Sequence, residues 1–442
     1  MGMKSVSVAE VLDTHPFTRY QAWISFLCAL VVVREGFGMS IMGLAAPKIT
    51  ESLHVGSNAL GIAIGVSQIG PLLGAIALGT LSDRIGHKRM LIFSGLVCGV
   101  FTIATAMATN VVQLGLWNFL AGIGVGGSVP NALAFGCEYA PVRLRASLTS
   151  VMWVGMPLGA VMSGLLAAFV LPHYGWQMLF CLAGITPLLI VVLIWLALPE
   201  SLDFLVRQST DKEGIRRVFS RIAPGLASDP AVEFYSAGKK IAGVPAKHLF
   251  LEGRALITLL LWILSFLTFY FNWVLLSWAP TFVRRSGGSI QLSSITFTLL
   301  NFGSVIATLT MGRLMDRFGT FRTLPVTCIL AFLSMGAFGV LAHASVPALA
   351  AVAVVTGFFV FGANGGCMAL ATSAYPASIR GSGLGWIYAA GKVGSISAPV
   401  VGGFLLALNW SIGRICIVSG LTGLLMAIVV ILVARQIENK GH

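Results

Sequence analysis

Charge is scarce in this chain. Asp, Glu, Lys and Arg make up 10% of its 442 residues, where a soluble domain carries about a quarter. With 57% hydrophobic residues and a mean hydropathy of +0.91, the chain cannot solvate itself as a globule, so lipid must supply most of its solvent. Motifs of chemistry are scarce too. No zinc-ligand spacing, P-loop or nucleophile motif occurs, which argues against an enzyme, a bound cofactor or metal, and ATP-driven transport. The seven histidines fall in loops or tails, which excludes a buried histidine relay. Cys28, Cys98, Cys137, Cys181, Cys328, Cys367 and Cys416 lie in or beside apolar segments and read as small core residues. About twenty polar-to-mixed residues precede the first apolar span, so that span is expected to be retained rather than cleaved as a leader.

Glycine is abundant, at 51 residues, which suits close helix contacts in a membrane. GIGVGGSVPN (122–131) has the spacing of a dinucleotide fingerprint, G-x-G-x-x-G. It lies inside an apolar span with no strand before it, so helix packing is the better reading.

A bilayer crossing takes about 20 apolar residues. The sequence offers twelve such runs: 21–48, 58–80, 90–108, 111–137, 147–171, 177–198, 255–283, 291–312, 322–342, 347–374, 382–408 and 412–434. The predicted class is an all-α polytopic membrane protein of two six-helix bundles, 21–198 and 255–434. A tail (1–20), a polar central loop (199–254) and a second tail (435–442) complete it. The net charge of +13 does not indicate nucleic acid, because the basic residues cluster in short loops. Twenty-two of the 28 Lys and Arg fall on the side of the tails and central loop, and four on the other. By the positive-inside rule both termini are then cytoplasmic. The remaining two, Arg34 and Lys392, lie within spans.

The halves repeat. GTLSDRIGHKRM (79–90) and GRLMDRFGTFRT (312–323) share G-x-L-x-D-R-x-G at an offset of 233 residues, and RAS (145–147) recurs as RGS (380–382). Parallel repeats imply an axis along the membrane normal, with the binding site between the halves near midplane.

The first of these strings resembles the signature loop of the major facilitator superfamily. GIGVGGSVPNALAFGCEYAPVRLRASL (122–148), SWAPTFVRRSGGS (277–289) and YPASIRGSGLGWIYAAGKVGS (375–395) resemble the aromatic acid:proton symporter family, and LPESLDFL (198–205) is similar to a common superfamily string. The resemblance covers nearly the whole chain. It implies a proton-coupled secondary transporter of a bacterial inner membrane, with a small organic anion and protons as partners, lipid around it, and a monomeric state. It also implies that the first and eleventh helices line a central cavity. Where the family carries Asp-Gly-Phe-Asp in its first helix, this chain has Glu35, Gly36, Phe37 and Gly38. Where it tends to carry Arg in the eleventh, this chain has Lys392.

The intramembrane charges are the natural candidates for function, since each costs about 2.5–3.5 kcal/mol on insertion scales and faces a bundle interior or wet cavity. Adjacent helix residues point about 100° apart, so Arg34 and Glu35 are expected to flank a gap at Gly38 rather than face each other. Lys392, about ten residues into its span, lies at similar depth. Glu35 is the candidate proton carrier, with Arg34 and Lys392 as candidate anion ligands. Tyr270, Asn272, Trp273, Asn301, Asn364, Trp386 and Tyr388 could wall the pocket. Asp83, Arg84 and Arg89, with Glu138, Arg143 and Arg145, Asp316 and Arg317, and Arg380, are candidates for holding the halves together. The expected activity is import of an organic, aromatic carboxylate with protons by alternating access. A proton-coupled exporter of hydrophobic compounds and a non-transporting membrane sensor are the alternatives.

Overall fold

A computed structural model describes residues 4–208, 212–224, 232–235, 249–250, 254–373, 375 and 380–438. A short strand β1 (Lys4–Ser7) and helix α1 (Val8–Thr14) precede α2 (Arg19–Leu53), α3 (Ser57–Ser67), α4 (Ile69–Ile85), α5 (His87–Ala106), α6 (Val111–Glu138) and α7 (Val142–Ala197). Between the halves lie α8 (Leu202–Gln208), α9 (Lys212–Ile222) and β2 (Val232–Tyr235). The second half holds α10 (Ala255–Arg285), α11 (Ile290–Phe318), α12 (Thr320–Leu341), α13 (Val346–Ser373), α14 (Arg380–Ala407) and α15 (Ile412–Glu438).

Among the described residues, 11 helices are long and apolar enough to cross a bilayer, with α3 and α4 forming one of them. The 56-residue α7 is two spans, because Gly175 breaks it with φ 78, a left-handed value that glycine adopts without steric cost. Counted so, the spans number twelve, as the apolar runs predict.

In lipid, small residues decide how closely helices approach. A Cβ at Gly126 would overlap the Pro71 carbonyl on α4, and one at Gly124 the Ser94 carbonyl on α5. The glycine run of α6 is therefore a packing device.

The halves meet on a pseudo-two-fold axis. Gly43 of α2 is pressed against Leu276 of α10, its mate at the 233-residue offset. Glu51 and Arg284, also 233 apart, form an ion pair at 3.2 Å. Repeat-related residues in mutual contact must flank the axis that relates them. Two further contacts obey the same symmetry: Gly61 of α3 against Pro399 of α14, and Gly164 of α7 against Ser294 and Thr298 of α11. Arg285 adds hydrogen bonds to Ser57 Oγ at 3.0 Å and to the Leu406 carbonyl at 2.8 Å. All these contacts lie toward one end of the molecule. Toward the end that carries the central loop the halves part. Helix α3 packs along α14, but its continuation α4 barely reaches it. A Cβ at Gly79, Gly312 or Gly385 would meet nothing within 4 Å.

This asymmetry is testable at Gly43. In Gly43→Ala the new methyl overlaps the Leu276 carbonyl, and only separation of α2 from α10 relieves it. The closed end should open, with maleimide labelling of a cysteine placed at Ser293, 2% exposed in the closed end, rising several-fold. Unchanged labelling would show that the close approach does not set the conformation.

One feature departs from a plain loop-and-tail reading of residues 1–20 and 199–254. Strand β1 pairs in parallel with β2, Lys4 opposite Val232. Val11 and Leu12 of α1 share a core with Ile215, Phe219 and Ile222 of α9 and with the first bundle. The amphipathic spacing of KEGIRRVFSRI (212–222) carries this packing. Asp13 accepts the Val142 N–H at 2.6 Å, tying α1 to the start of α7.

Candidate substrate and proton site

Arg34 and Glu35 sit inside the first bundle, 6% and 0% exposed. They form a direct ion pair, Arg34 Nη2 donating to Glu35 Oε1, where the helical wheel predicts them to be splayed. The guanidinium is long enough to bend around the helix, and two separate charges in a dry interior would cost far more. Arg34 Nη1 donates to Cys98 Sγ of α5 at 3.0 Å. Ser128 of α6 stands beside the Glu35 carboxyl, although its hydroxyl donates to the Gly124 carbonyl at 2.9 Å. Glu35 Oε2 is left buried with no hydrogen-bond partner. The gap at Gly38 is present: a Cβ there would meet nothing within 4 Å.

Lys392 approaches from the other half and is 2% exposed. Among the described residues its ammonium has neither an ion-pair nor a hydrogen-bond partner; it lies 5.3 Å from the centroid of the Tyr388 ring. Its depth can be read from glycine contacts. Gly391 meets Ser265 and Phe269, and Gly394 meets Phe266 and Tyr270, so Lys392 stands level with the turn around Leu267. Glu35 is eight residues below Gly43, and Thr268 eight below Leu276, with Gly43 and Leu276 touching. Glu35 and Lys392 therefore share one level. Arg34 is not available as the sequence reading supposed. Both of its terminal nitrogens are engaged, which makes it the counter-ion of Glu35 and leaves Lys392 as the open cation.

The other candidates divide. Tyr388 sits under Lys392 and meets the Phe269 ring edge-on, 5.6 Å between centroids. Phe269, an ordinary aromatic by sequence, thereby joins the site. Trp386 is two residues from Tyr388, so it projects from another face, and it stacks on Trp262 at 5.7 Å. Tyr270 turns toward Ser419 of α15, away from Lys392. Trp273 is buried on α10. Asn301 is buried and donates to the Phe297 carbonyl at 2.9 Å, while Asn364 is half-buried on α13. Asn272 donates to the Thr268 carbonyl at 2.7 Å, and its Oδ1 is buried without a partner.

The expected loop cluster is rearranged. Glu138 meets not Arg143 or Arg145 but His87 Nε2 at 3.2 Å and the Ser201 hydroxyl. His87 Nδ1 is 3.0 Å from Asn131 Oδ1. Arg145 reaches the Ala140 carbonyl at 3.2 Å. Arg143, Arg84 and Arg89 are exposed, as are Asp316 and Arg317; Arg317 lies over Phe318. Glu200, in the 198–205 string, accepts the Lys88 N–H at 3.1 Å. The cluster thus gathers the second-span loop, the end of α6 and the start of the central segment. The side chains of Asp83 and Arg380 lie outside the described residues.

A family model described as Major Facilitator Superfamily matches residues 28–344 and 261–441. The chain belongs to the major facilitator superfamily. It is 32% identical to a 4-hydroxybenzoate transporter of Pseudomonas putida, over 93% of this chain and 92% of the other. It is 28% identical to a gallate transporter of the same organism, over 96% and 94%. Among solved structures, a D-xylose-proton symporter superposes with TM-score 0.74 at 17% identity, covering 93% of this chain and 97% of that one. A bacterial homologue of the lysosomal transporter Spinster, inward-facing and unoccupied, superposes with TM-score 0.73 at 15% identity, over 94% and 97%. This major facilitator protein is an integral membrane transporter, not an enzyme, and its curated relatives move aromatic acids.

Proposed function

We propose that this transporter imports an aromatic carboxylate together with protons by alternating access. The observation that carries the reading is a buried lysine on one half, Lys392, with no ion-pair or hydrogen-bond partner among the described residues, level with a buried acid on the other, Glu35. The lysine attracts a carboxylate, and the bound anion favours protonation of Glu35 by like-charge repulsion. Binding of either then favours the other, since linkage is reciprocal. Glu35 Oε2, without a donor, is the seat for the proton. The Lys and Arg distribution supports a topology with both termini and the central loop in the cytoplasm. On that topology the halves are parted toward the inside.

The test is proton movement in proteoliposomes. External 4-hydroxybenzoate should acidify the lumen several-fold faster than in protein-free vesicles. Binding without such acidification would point instead to a sensor. Movement of neutral apolar compounds in exchange for protons would point to an exporter.

A further inference from the structure

The site holds a further group that lacks a hydrogen-bond partner. Asn272 is 3% exposed, and its amide orientation is fixed because Nδ2 must face the Thr268 carbonyl to which it donates. That leaves Oδ1, an acceptor, buried and unsatisfied. Buried acceptors in native proteins are nearly always paired, and one left bare keeps its full desolvation penalty. Asn272 is three residues beyond Phe269, so both project from one face of α10. Phe269 in turn meets Tyr388, which lies under Lys392. Lys392, the Phe269–Tyr388 pair and Asn272 thus form a continuous strip of cation, aromatic wall and acceptor. Lys392 is level with Leu267, and Asn272 is five residues higher, a helix rise of roughly 7.5 Å. That rise is the axial part of the separation only; a para-substituted benzoate with a hydrogen bond of about 2.8 Å at each end needs a longer span, so it lies obliquely between α10 and α14.

We propose that Asn272 receives a ring hydroxyl of the substrate. The ligand lies along the strip with its carboxylate on Lys392, its ring against Phe269 and Tyr388, and a phenolic O–H donating to Asn272 Oδ1. The substrate class is therefore hydroxylated aromatic carboxylates, with the hydroxyl opposite the carboxylate, rather than unsubstituted benzoate. An acid without the hydroxyl leaves the acceptor bare, and such a site rejects the lacking analogue more strongly than an apolar pocket rejects a misfit. This inference rests on the aromatic-carboxylate reading above and narrows it.

The experiment compares binding of 4-hydroxybenzoate, 3-hydroxybenzoate and benzoate to the purified protein, by calorimetry and by displacement in proteoliposomes. The wild-type protein should bind 4-hydroxybenzoate about ten- to a hundredfold more tightly than benzoate, with 3-hydroxybenzoate between them. In Asn272→Leu the ratio should fall close to one. A wild-type ratio near one, or a preference for benzoate, would overturn the proposal even if no variant could be purified. A folded Asn272→Leu or Asn272→Ala protein that kept the wild-type ratio would overturn it as well. Absence of binding by all three acids would instead overturn the aromatic-carboxylate reading beneath it.

Discussion

Glu35→Gln protein is expected to exchange substrate but not to accumulate it. Gln keeps the size of the acid and can still accept from Arg34 through its amide oxygen, but it carries no titratable proton. A gradient of two pH units is worth about 2.7 kcal/mol per proton, a hundredfold in concentration. The wild-type protein with one coupled proton should approach that accumulation, and the variant should equilibrate near onefold. Counterflow of labelled against unlabelled substrate needs no net proton movement and should survive. Glutamine leaves the buried Arg34 charge facing a dipole instead of a carboxylate, so some loss of thermal stability is also expected. Undiminished accumulation in the variant would remove Glu35 from the proton path. Loss of counterflow as well would assign the Arg34–Glu35 pair a packing role.

The parts of this molecule that could be read from sequence are those governed by one helix at a time. Apolar run length fixes the spans, and the G-x-L-x-D-R-x-G repeat fixes the relation between the halves. Intramembrane charge picks out Glu35 and Lys392 because few other reasons put ionised groups at that depth. What escaped depends on how helices cross. Cys98 and Ser128 look like core residues until α5 and α6 bring them against the Arg34–Glu35 pair, and Phe269 until α14 brings Tyr388 against it. The wheel argument failed for Arg34 because it treats a side chain as a radial vector, and a guanidinium is long enough to turn aside. Glu138 was assigned to the nearest arginines in sequence, whereas the fold supplies His87 and Ser201. Trp386 and Tyr388, two residues apart, do not share a helix face, and only Tyr388 lies under Lys392.

The contacts that close one end of the molecule explain why a site at the level of Glu35 serves both sides. Gly43 and Leu276 seal the axis eight residues above that level, and the Glu51–Arg284 and Arg285 contacts stand above them. None of these groups belongs to the candidate site, so the seal can open without dismantling it. On the open side, the contacts Glu138–His87, Glu138–Ser201 and Glu200–Lys88 join the first bundle to the start of the central segment. They keep the ends of that bundle's helices together while the second half moves away. Rocking about the axis then exposes Lys392 and Glu35 first to one side and then to the other.

Lys392→Met should separate stability from function in opposite directions. Methionine keeps an unbranched, apolar stem of similar reach and removes only the charge. In the empty protein that residue is 2% exposed and, among the described residues, only the Tyr388 ring stands against its charge, an arrangement that disfavours the charged form relative to an ion pair. Removing the charge should therefore raise the melting temperature of the ligand-free protein by a few degrees. A hydrogen bond to a charged group contributes about 1.5–3 kcal/mol, so affinity for an aromatic carboxylate should fall by roughly ten- to 150-fold. The neutral amide analogue, which has no charge to lose, should be affected little. Lys392→Arg should retain charge but not full affinity, because a planar fork cannot occupy the position of a compact ammonium over Tyr388. Residues that make an empty protein less stable and a loaded one possible are those retained for function. A Lys392→Met protein that bound the acid as the wild type does, or melted at a lower temperature when empty, would show that the lysine is part of the packing and that the anion binds elsewhere.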